Sequence, residues 1–362
     1  MIKAISIYPS NEDNYLNKCE EYISLASTYN FTSVFTSLHI PEISLKIQIK
    51  FLNELSKLCK KYNMEIIVDI GGNSIKQIIS DNELLNIVVD SNIDYLRLDY
   101  GYDHSDIAHL RDILNNKGFI INASIYNEEE SKQEVEFIRS LNCDIKACHN
   151  YYPRVESGID ESFALIQKQI FDNLNVPIYY YVPNINNPRG PVYKGLPTIE
   201  KHRNIGAKDA LLELVFKYNA DGIIISDNFC TKEYFDNFNN INLEKELIIK
   251  VKTINNKYDD IVYQTHIFRY DSNENYLRSK SSRQMAEYAK EIEPENCIDR
   301  IAGAITIDNK NYSRYSGELQ VVLKNNHKDD RVNVVGYIEE KDLDKLSYYK
   351  QGYKFKFIKY DE

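Results

Sequence analysis

Tyr95-Leu-Arg-Leu-Asp99 alternates apolar and charged side chains. Successive side chains of a strand point to opposite faces, so Leu96 and Leu98 share a face suited to helices while Arg97 and Asp99 share the other. Upstream, Glu65-Ile-Ile-Val-Asp69 repeats the layout, with Ile66 and Val68 on the helix side and Asp69 facing inward. Similar short, β-branched runs at 4–8, 33–36, 119–123, 144–148, 177–182 and 222–226 bring the series to eight.

Helix-period stretches separate these runs. Leu16, Cys19, Ile23 and Ala26 fall at helical spacing, opened by Ser10 with Asp13 three residues on, the layout of a capping box. After Pro41, residues Ile43, Leu45, Ile47 and Ile49 alternate as a strand would, but the continuation to Leu52, Leu55, Cys59 and Tyr62 predicts a helix. Further helical patterns occupy 106–115, 130–140, 162–173 and 204–218. Eight strand–helix units over about 240 residues fit a (β/α)8 TIM-like barrel at 1–242; an open doubly wound sheet would want G-x-G-x-x-G after its first strand, which is missing. From 243 to 362 the pattern changes to strand-like segments at 247–251, 261–268, 302–307, 318–323, 332–338 and 353–358, with one helical stretch near 283–290. A smaller, mostly β domain is expected there.

Composition narrows the function. A chain of 362 residues suits one large domain plus a smaller one. Its 44 basic against 54 acidic residues leave a net charge of -10, a poor match for nucleic acid or an anionic membrane. No apolar run approaches the ~20 residues of a membrane-spanning helix, and Met1-Ile-Lys-Ala-Ile-Ser-Ile-Tyr8 enters strand-like alternation without a signal-peptide layout, so a cytoplasmic protein is expected. The six cysteines lack a C-x-x-C pair and read as buried free thiols. The seven histidines are dispersed, so neither a metal nor another cofactor is expected. The 29 tyrosines with no tryptophan suit sugar stacking, although a bias towards Tyr, Asn, Ile and Lys also follows from an AT-rich genome.

Active sites of such barrels lie at the C-terminal ends of the strands. Asp69 and Asp99 close adjacent strands, whose backbones lie ~5 Å apart, and could form a carboxylate pair or share a proton. Asp227, in Ser226-Asp-Asn228, approaches from the opposite side. The competing structural reading pairs Asp99 with Arg97 and makes Asp69 and Asp227 helix caps. After the sixth strand, Cys148-His-Asn-Tyr-Tyr-Pro-Arg154 supplies donors and acceptors for a polyhydroxylated ligand. The excursion over 183–203 is longer than an ordinary connection and reads as a lid or binding loop. Near its end, Glu200, His202 and Arg203 suit either chemistry or the first turn of a helix capped by Thr198. In the second domain, Arg278-Ser-Lys-Ser-Ser-Arg283, Arg300 and Arg314 are a basic concentration fitted to phosphate or carboxylate, while the turn after the eighth strand lacks the glycine-rich phosphate loop found in many barrels.

Several motifs keep one order along the chain: Ile5-Ser-Ile-Tyr-Pro-Ser10, Val34-Phe-Thr-Ser-Leu38, Leu96-Arg-Leu-Asp-Tyr-Gly101, the 148–154 run, Arg189-Gly-Pro-Val-Tyr-Lys-Gly-Leu-Pro-Thr198, Glu200-Lys-His-Arg203, residues 307–320 and Val332-Asn-Val-Val-Gly336. In these the chain resembles the MupG family of bacterial 6-phospho-N-acetylmuramidases. Asp69-Ile-Gly-Gly-Asn73 departs from a Ser-Pro-containing version of that loop. The resemblance implies a barrel with a cyclophilin-like β domain, and cytoplasmic hydrolysis of N-acetylmuramic acid 6-phosphate linked β-1,4 to N-acetylglucosamine in peptidoglycan recycling. The implied partner is a phosphorylated amino-sugar disaccharide, with self-association into a homo-oligomer left open.

Glycoside hydrolysis needs an acid and a second group. Asp99 is the first choice, Asp69 and Asp227 compete for the second role, and Glu200 stands in reserve. An Asp69–Asp99 pair goes with retention, an Asp99–Asp227 pair across the mouth with inversion, and the 2-acetamido group allows substrate assistance. Tyr8, Arg97, Asn122, His149, Asn150, Tyr152 and Arg189 are the expected sugar contacts; Arg278, Ser281, Arg283 and Arg314 are the expected phosphate contacts. Two rivals stand beside this reading. One is a barrel isomerase or lyase acting on phosphosugars, whose imine-forming version would draw on Lys146, although alternation sets that residue opposite His149; the other is a non-enzymatic carbohydrate-binding protein.

Overall fold

The computed structural model describes residues 1–10, 12–114, 117–239, 246–285, 292–348 and 352–360. The chain forms two compact units, Met1–Asn240 and Ile241–Glu362; the division read at 242/243 falls in 240–245, outside the described residues. In the first unit, β1 (Ile2–Ser6), β2 (Ser33–Ser37), β3 (Glu65–Ile70), β4 (Tyr95–Leu98), β5 (Gly118–Asn122), β6 (Asp144–Cys148), β7 (Ile178–Val182) and β8 (Gly222–Ile225) pair in sequence order and close, β8 against β1. All eight contacts are parallel, as right-handed strand–helix–strand connections require.

Inside the ring, Ala4, Phe35, Ile67, Tyr95, Ile120, Cys148, Tyr179, Tyr181 and Ile224 make a packed core with Tyr8 above it. Side chains fill the barrel, so only the rim is left for a ligand. Tyr8, Tyr179, Tyr180, Tyr181 and Tyr218 are among the largest fully buried side chains, so part of the tyrosine surplus is core rather than sugar-binding surface.

The first strand ends at Ser6 rather than running over 4–8, which leaves Tyr8 in the rim. The expected capping box at Ser10 does not form: α1 (Tyr15–Thr28) opens behind Asn14 in the left-handed region at φ 57°, and Ser10 Oγ accepts from the Glu12 N–H at 3.2 Å instead. The ambiguous stretch after Pro41 is helical, as α2 (Leu45–Lys61), which buries Ile49, Leu52, Leu55 and Cys59 and leaves Ile47 exposed. Two helices that periodicity did not signal, α3 (Gly72–Ser80) and α4 (Asn82–Asp90), fill the β3–β4 connection. Gly72 makes this possible: a Cβ there would stand 1.7 Å from the Gly101 carbonyl oxygen, while its N–H donates to Tyr100 O at 2.9 Å. The turns after β3 and β4 can therefore touch, and this accounts physically for glycine in the 69–73 loop.

Beyond these come α5 (His104–Ile113), α6 (Glu128–Ser140), α7 (Glu161–Asn173), α8 (Ala207–Leu212) and α9 (Lys232–Asn239), the last also unsignalled. The 204–218 pattern resolves into α8 followed by a π-helical stretch, Glu213–Lys217. Asn127 and Glu130 form a true capping box at the start of α6.

The second unit is a curled seven-stranded sheet of β9 (Glu246–Thr253), β10 (Thr265–Ile267), β11 (Tyr276–Arg278), β12 (Ala304–Asp308), β13 (Leu319–Val322), β14 (Val332–Ile338) and β15 (Lys354–Lys359). Their order is β10-β15-β9-β14-β12-β13-β11, with β15 and β9 parallel and every other pair antiparallel. The run read as one strand at 261–268 is a helical turn, Asp259–Val262, followed by β10: His266 Nε2 lies 3.0 Å from Ile261 O, so the turn folds back on the strand. Strand β11 was not expected. Of the helical stretch near 283–290, Ser282–Met285 is helical and 286–290 lies outside the described residues. The cysteines are free, with Cys19, Cys59, Cys148 and Cys230 buried and Cys143 and Cys297 half-buried.

Candidate active site

Register assembles the site. Ser37 on β2 pairs with Asp69 on β3, and Asp69 pairs with Arg97 on β4, so three inward side chains form one row across adjacent strands. Arg97 Nη1 donates to Asp69 Oδ1 at 2.5 Å and lies 3.5 Å from Asp99 Oδ1. Its Nη2 donates to Asn150 Oδ1 at 2.6 Å and to the His149 carbonyl at 3.2 Å. Asn122 Nδ2 lies 2.9 Å from both Asp99 Oδ1 and Asn150 Oδ1. Sequence alternation thus brings Asp69, Arg97, Asp99, Asn122 and Asn150 into one network. Asn122 is fully buried, so it orients Asp99 rather than reaching a ligand itself.

Burial separates the two carboxylates. The Asp69 side chain is 2 % exposed and ion-paired, while that of Asp99 is 14 % exposed. Burial raises the Asp99 carboxyl above the ordinary aspartate value; Arg97 pulls it down and the Asp69 charge pushes it up again. Burial also works against the Arg97 charge, and Asp69 more than restores it. Asp69 is therefore the buried partner of Arg97, and Asp99 is the more exposed carboxyl, raised chiefly by burial.

His39, two residues past Ser37, completes the group. Its Nε2 stands 3.4 Å from Asp69 Oδ2 and 3.6 Å from Asp99 Oδ2. Its signal lay just past the strand: β2 ends at Ser37 and His39 follows two residues later, whereas the expected strand stopped at Thr36. His39 also lines a cleft of about 590 Å³ with Ser37, Tyr100, Tyr151, Arg189 and Tyr193. Tyr151 packs edge-on over Tyr8, Phe35 and Tyr181. It is Tyr151 that lines this cleft; the backbone of Tyr152 is held by Pro197 O and Arg203.

Other expected residues have different tasks. Asp227 is fully buried, and its carboxylate accepts the backbone N–H groups of Arg189 (2.8 Å), Asn184 (2.9 Å) and Leu196 (3.3 Å). It organises the long loop after β7 instead of capping the helix that follows β8 or facing Asp99 across the mouth. Glu200 forms a forked ion pair with Arg203 and accepts the N–H groups of Glu156 and Gly158; Arg203 and these donors hold its carboxyl down at about 2. Residues Glu200–Arg203 form a 3-10 turn that Thr198 does not cap, because its hydroxyl bridges the Tyr181 N–H and the Asn150 carbonyl. His149 is fully buried against Tyr180 with Nδ1 3.0 Å from Ser124 Oγ, and burial, then the nearby Arg97 charge, keeps it neutral, with a value of about 3. It supports the rim and is closed to a sugar. Tyr8 is 1 % exposed, with its hydroxyl donating to Ser226 O. Lys146, the candidate imine former, lies 3.2 Å from the Tyr95 ring centroid beside Asp144, among residues that begin their strands; it is at the end of the barrel away from the mouth.

In the second unit Arg278 Nε donates to Glu318 Oε1 at 2.5 Å, and Arg283 and Arg269 lie 3.4 and 3.3 Å from Oε2. The Glu318 side chain is 1 % exposed. The basic cluster expected to hold phosphate is thus gathered around a buried carboxylate. Ser281 donates its N–H to Ser279 Oγ, and Arg314 lies 5.2 Å from the Tyr315 ring centroid. Among the described residues, no group of three or more His, Cys, Asp and Glu side chains is arranged to hold a metal ion, and no helix is long and apolar enough to cross a membrane.

Comparison with known families supplies the remaining observation. The model of the 6-phospho-N-acetylmuramidase N-terminal domain matches residues 3–240, and that of its C-terminal domain matches 246–358. The chain belongs to the 6-phospho-N-acetylmuramidase family. No curated protein matches it. Among solved structures, this family member is similar to a conserved Enterococcus faecalis protein of unknown function, at 29% identity over 99% of this chain and 96% of that one, with a TM-score of 0.64. It is also similar to an uncharacterised B. cereus protein, at 25% identity over 99% of both chains, with a TM-score of 0.75.

Proposed function

We propose that the protein hydrolyses the β-1,4 bond between 6-phospho-N-acetylmuramic acid and N-acetylglucosamine, in the cytoplasm, as a step of peptidoglycan recycling. The observation that carries the reading is Asp99: a partly exposed carboxyl in the barrel mouth, raised by burial and by Asp69, whose Oδ2 lies 3.6 Å from His39 of the rim cleft. A glycosidase acid must keep its proton until the leaving oxygen needs it. Asp99 would give that proton to the bridging oxygen, with Asn122 and His39 fixing its orientation. Asp69, saturated by Arg97, Ser37 and His39, holds the charge balance and is poorly placed to attack.

The substrate's own 2-acetamido oxygen is then the fitting nucleophile, with water completing the reaction in a second step. That route retains the anomeric configuration. Inversion would need a base facing Asp99 across the mouth, and both candidates for that place, Asp227 and Glu200, are bound elsewhere. The test is release of N-acetylglucosamine from the phosphorylated disaccharide, followed by NMR. The expected first product is the β-anomer of the phosphosugar; an initial α-anomer overturns the mechanism, and binding without release by folded protein overturns the activity.

A further inference from the structure

Arg189 sits on a buried tyrosine ring at the edge of the rim cleft. Arg97 and Arg203, the buried arginines nearest the mouth, are each tied to a carboxylate. The Arg189 guanidinium has no ion pair or hydrogen bond among the described residues, yet it is fixed on two sides. Its carbon lies 3.9 Å from the Tyr8 ring centroid, and the Tyr8 hydroxyl donates to Ser226 O at 2.9 Å, so the platform itself cannot turn. Its backbone N–H donates to Asp227 Oδ1 at 2.8 Å, and the same buried carboxylate ties down Asn184 and Leu196. A guanidinium resting on an aromatic face keeps its N–H edge available, and that edge matches the oxygens of a carboxylate or phosphate in bidentate fashion. The edge lines the cleft that also holds His39, whose ring touches both Asp69 and Asp99. Of the other residues lining that cleft, Glu42 is exposed at the rim, and none besides His39 can carry positive charge.

We infer that Arg189, seated on Tyr8 and anchored through Asp227, binds an anionic substituent of the sugar beside the reactive carboxyls, a phosphomonoester or a carboxylate. This moves anion recognition from the Arg278–Arg283 segment to the barrel mouth. The inference rests on the proposed activity, whose substrate carries both anions, the 6-phosphate and the lactyl carboxylate. Asp227 thereby acquires a positioning role: it sets the loop that presents the guanidinium.

Three disaccharides separate the two anions: the phosphorylated substrate, its unphosphorylated counterpart, and 6-phosphorylated chitobiose, which lacks the lactyl group. If Arg189 holds phosphate, Arg189→Met loses roughly 100-fold in kcat/KM on both phosphorylated sugars and little on the third. If it holds the lactyl carboxylate, the loss falls on the two lactyl-bearing sugars and spares the chitobiose. Arg189→Lys recovers part of the loss in either case. Equal losses on all three, or none, overturn the inference. A direct measurement on the wild-type protein covers the case of a misfolded variant or an inactive enzyme: phenylglyoxal labelling of Arg189, read by mass spectrometry, is slowed by inorganic phosphate or by N-acetylmuramic acid. Labelling that neither slows overturns the inference, whereas a wild-type protein that cleaves no disaccharide but is protected counts against the proposed activity and leaves the anion site standing.

Discussion

Two clusters in this molecule are built from the same residue types in opposite proportion. In the barrel mouth one arginine, Arg97, meets two carboxylates, Asp69 and Asp99, with His39 between them. In the second unit three arginines, Arg269, Arg278 and Arg283, converge on one buried carboxylate, Glu318, while the exposed Asp271 also pairs with Arg269 and Arg278. In the mouth, burial and then the Asp69 charge raise the Asp99 carboxyl against the pull of Arg97. An excess of arginines round one buried carboxylate satisfies that carboxylate and leaves the cations half-exposed as a structural clasp. The two clusters differ in which group sits at the buried centre, an arginine shared between carboxylates or a carboxylate shared between arginines.

The largest expected effect separates the two directly. Asp99→Asn removes the proton donor and lowers kcat about 10³-fold, while Glu318→Gln changes kcat less than about threefold and instead costs about 1–3 kcal/mol of stability, because three guanidiniums lose their common acceptor. Comparable losses of kcat in both variants would break the comparison. Next comes Arg97→Met, which leaves Asp69 buried and unpaired and is expected to destabilise the barrel by about 3–5 kcal/mol in urea unfolding.

A pH profile sharpens the same contrast. The proposed mechanism uses protonated Asp99, so it predicts that kcat falls as pH rises through the raised Asp99 pKa. Asp69→Asn removes the like charge that helps raise it, and the alkaline limb should move to lower pH. An unmoved limb would assign the titration to another group. The smallest effect concerns Asp308 in the second unit, whose buried Oδ1 has no hydrogen-bond partner among the described residues and whose carboxyl is raised to about 8 by burial and then by Glu318. A carboxyl raised on folding contributes stability that is fully present below the unfolded value of ~4 and is lost as pH rises through its folded value. Melting temperature should therefore decline between pH 5 and about 8, and Asp308→Asn should flatten that decline.

Alternation along 95–99 was enough to place Arg97 and Asp99 on the inner face, and the repeat of strand and helix was enough for the barrel. Both depend on local geometry, the two-residue period of a strand and the 3.6-residue period of a helix. The glycine-led helix α3 escaped because its first turn is set by contact with Gly101, a residue far along the chain. His39 escaped for a smaller reason: the strand was read one residue short, and His39 lies two residues beyond its end.

What the sequence alone determined, then, was architecture, family and the face on which each strand-end residue lies, because those properties follow from periodicity and motif order. Partners were decided by tertiary structure. Asp99 and Asp227 look alike at the ends of their strands, and only the folded loop shows that one stays partly exposed among side-chain partners while the other is buried under three backbone N–H groups. Arg189 and Arg278 look alike as cations in an acidic chain, and only packing shows which has a carboxylate partner. Burial and hydrogen-bond saturation arise between segments distant in sequence, and they separate a reactive group from a structural one.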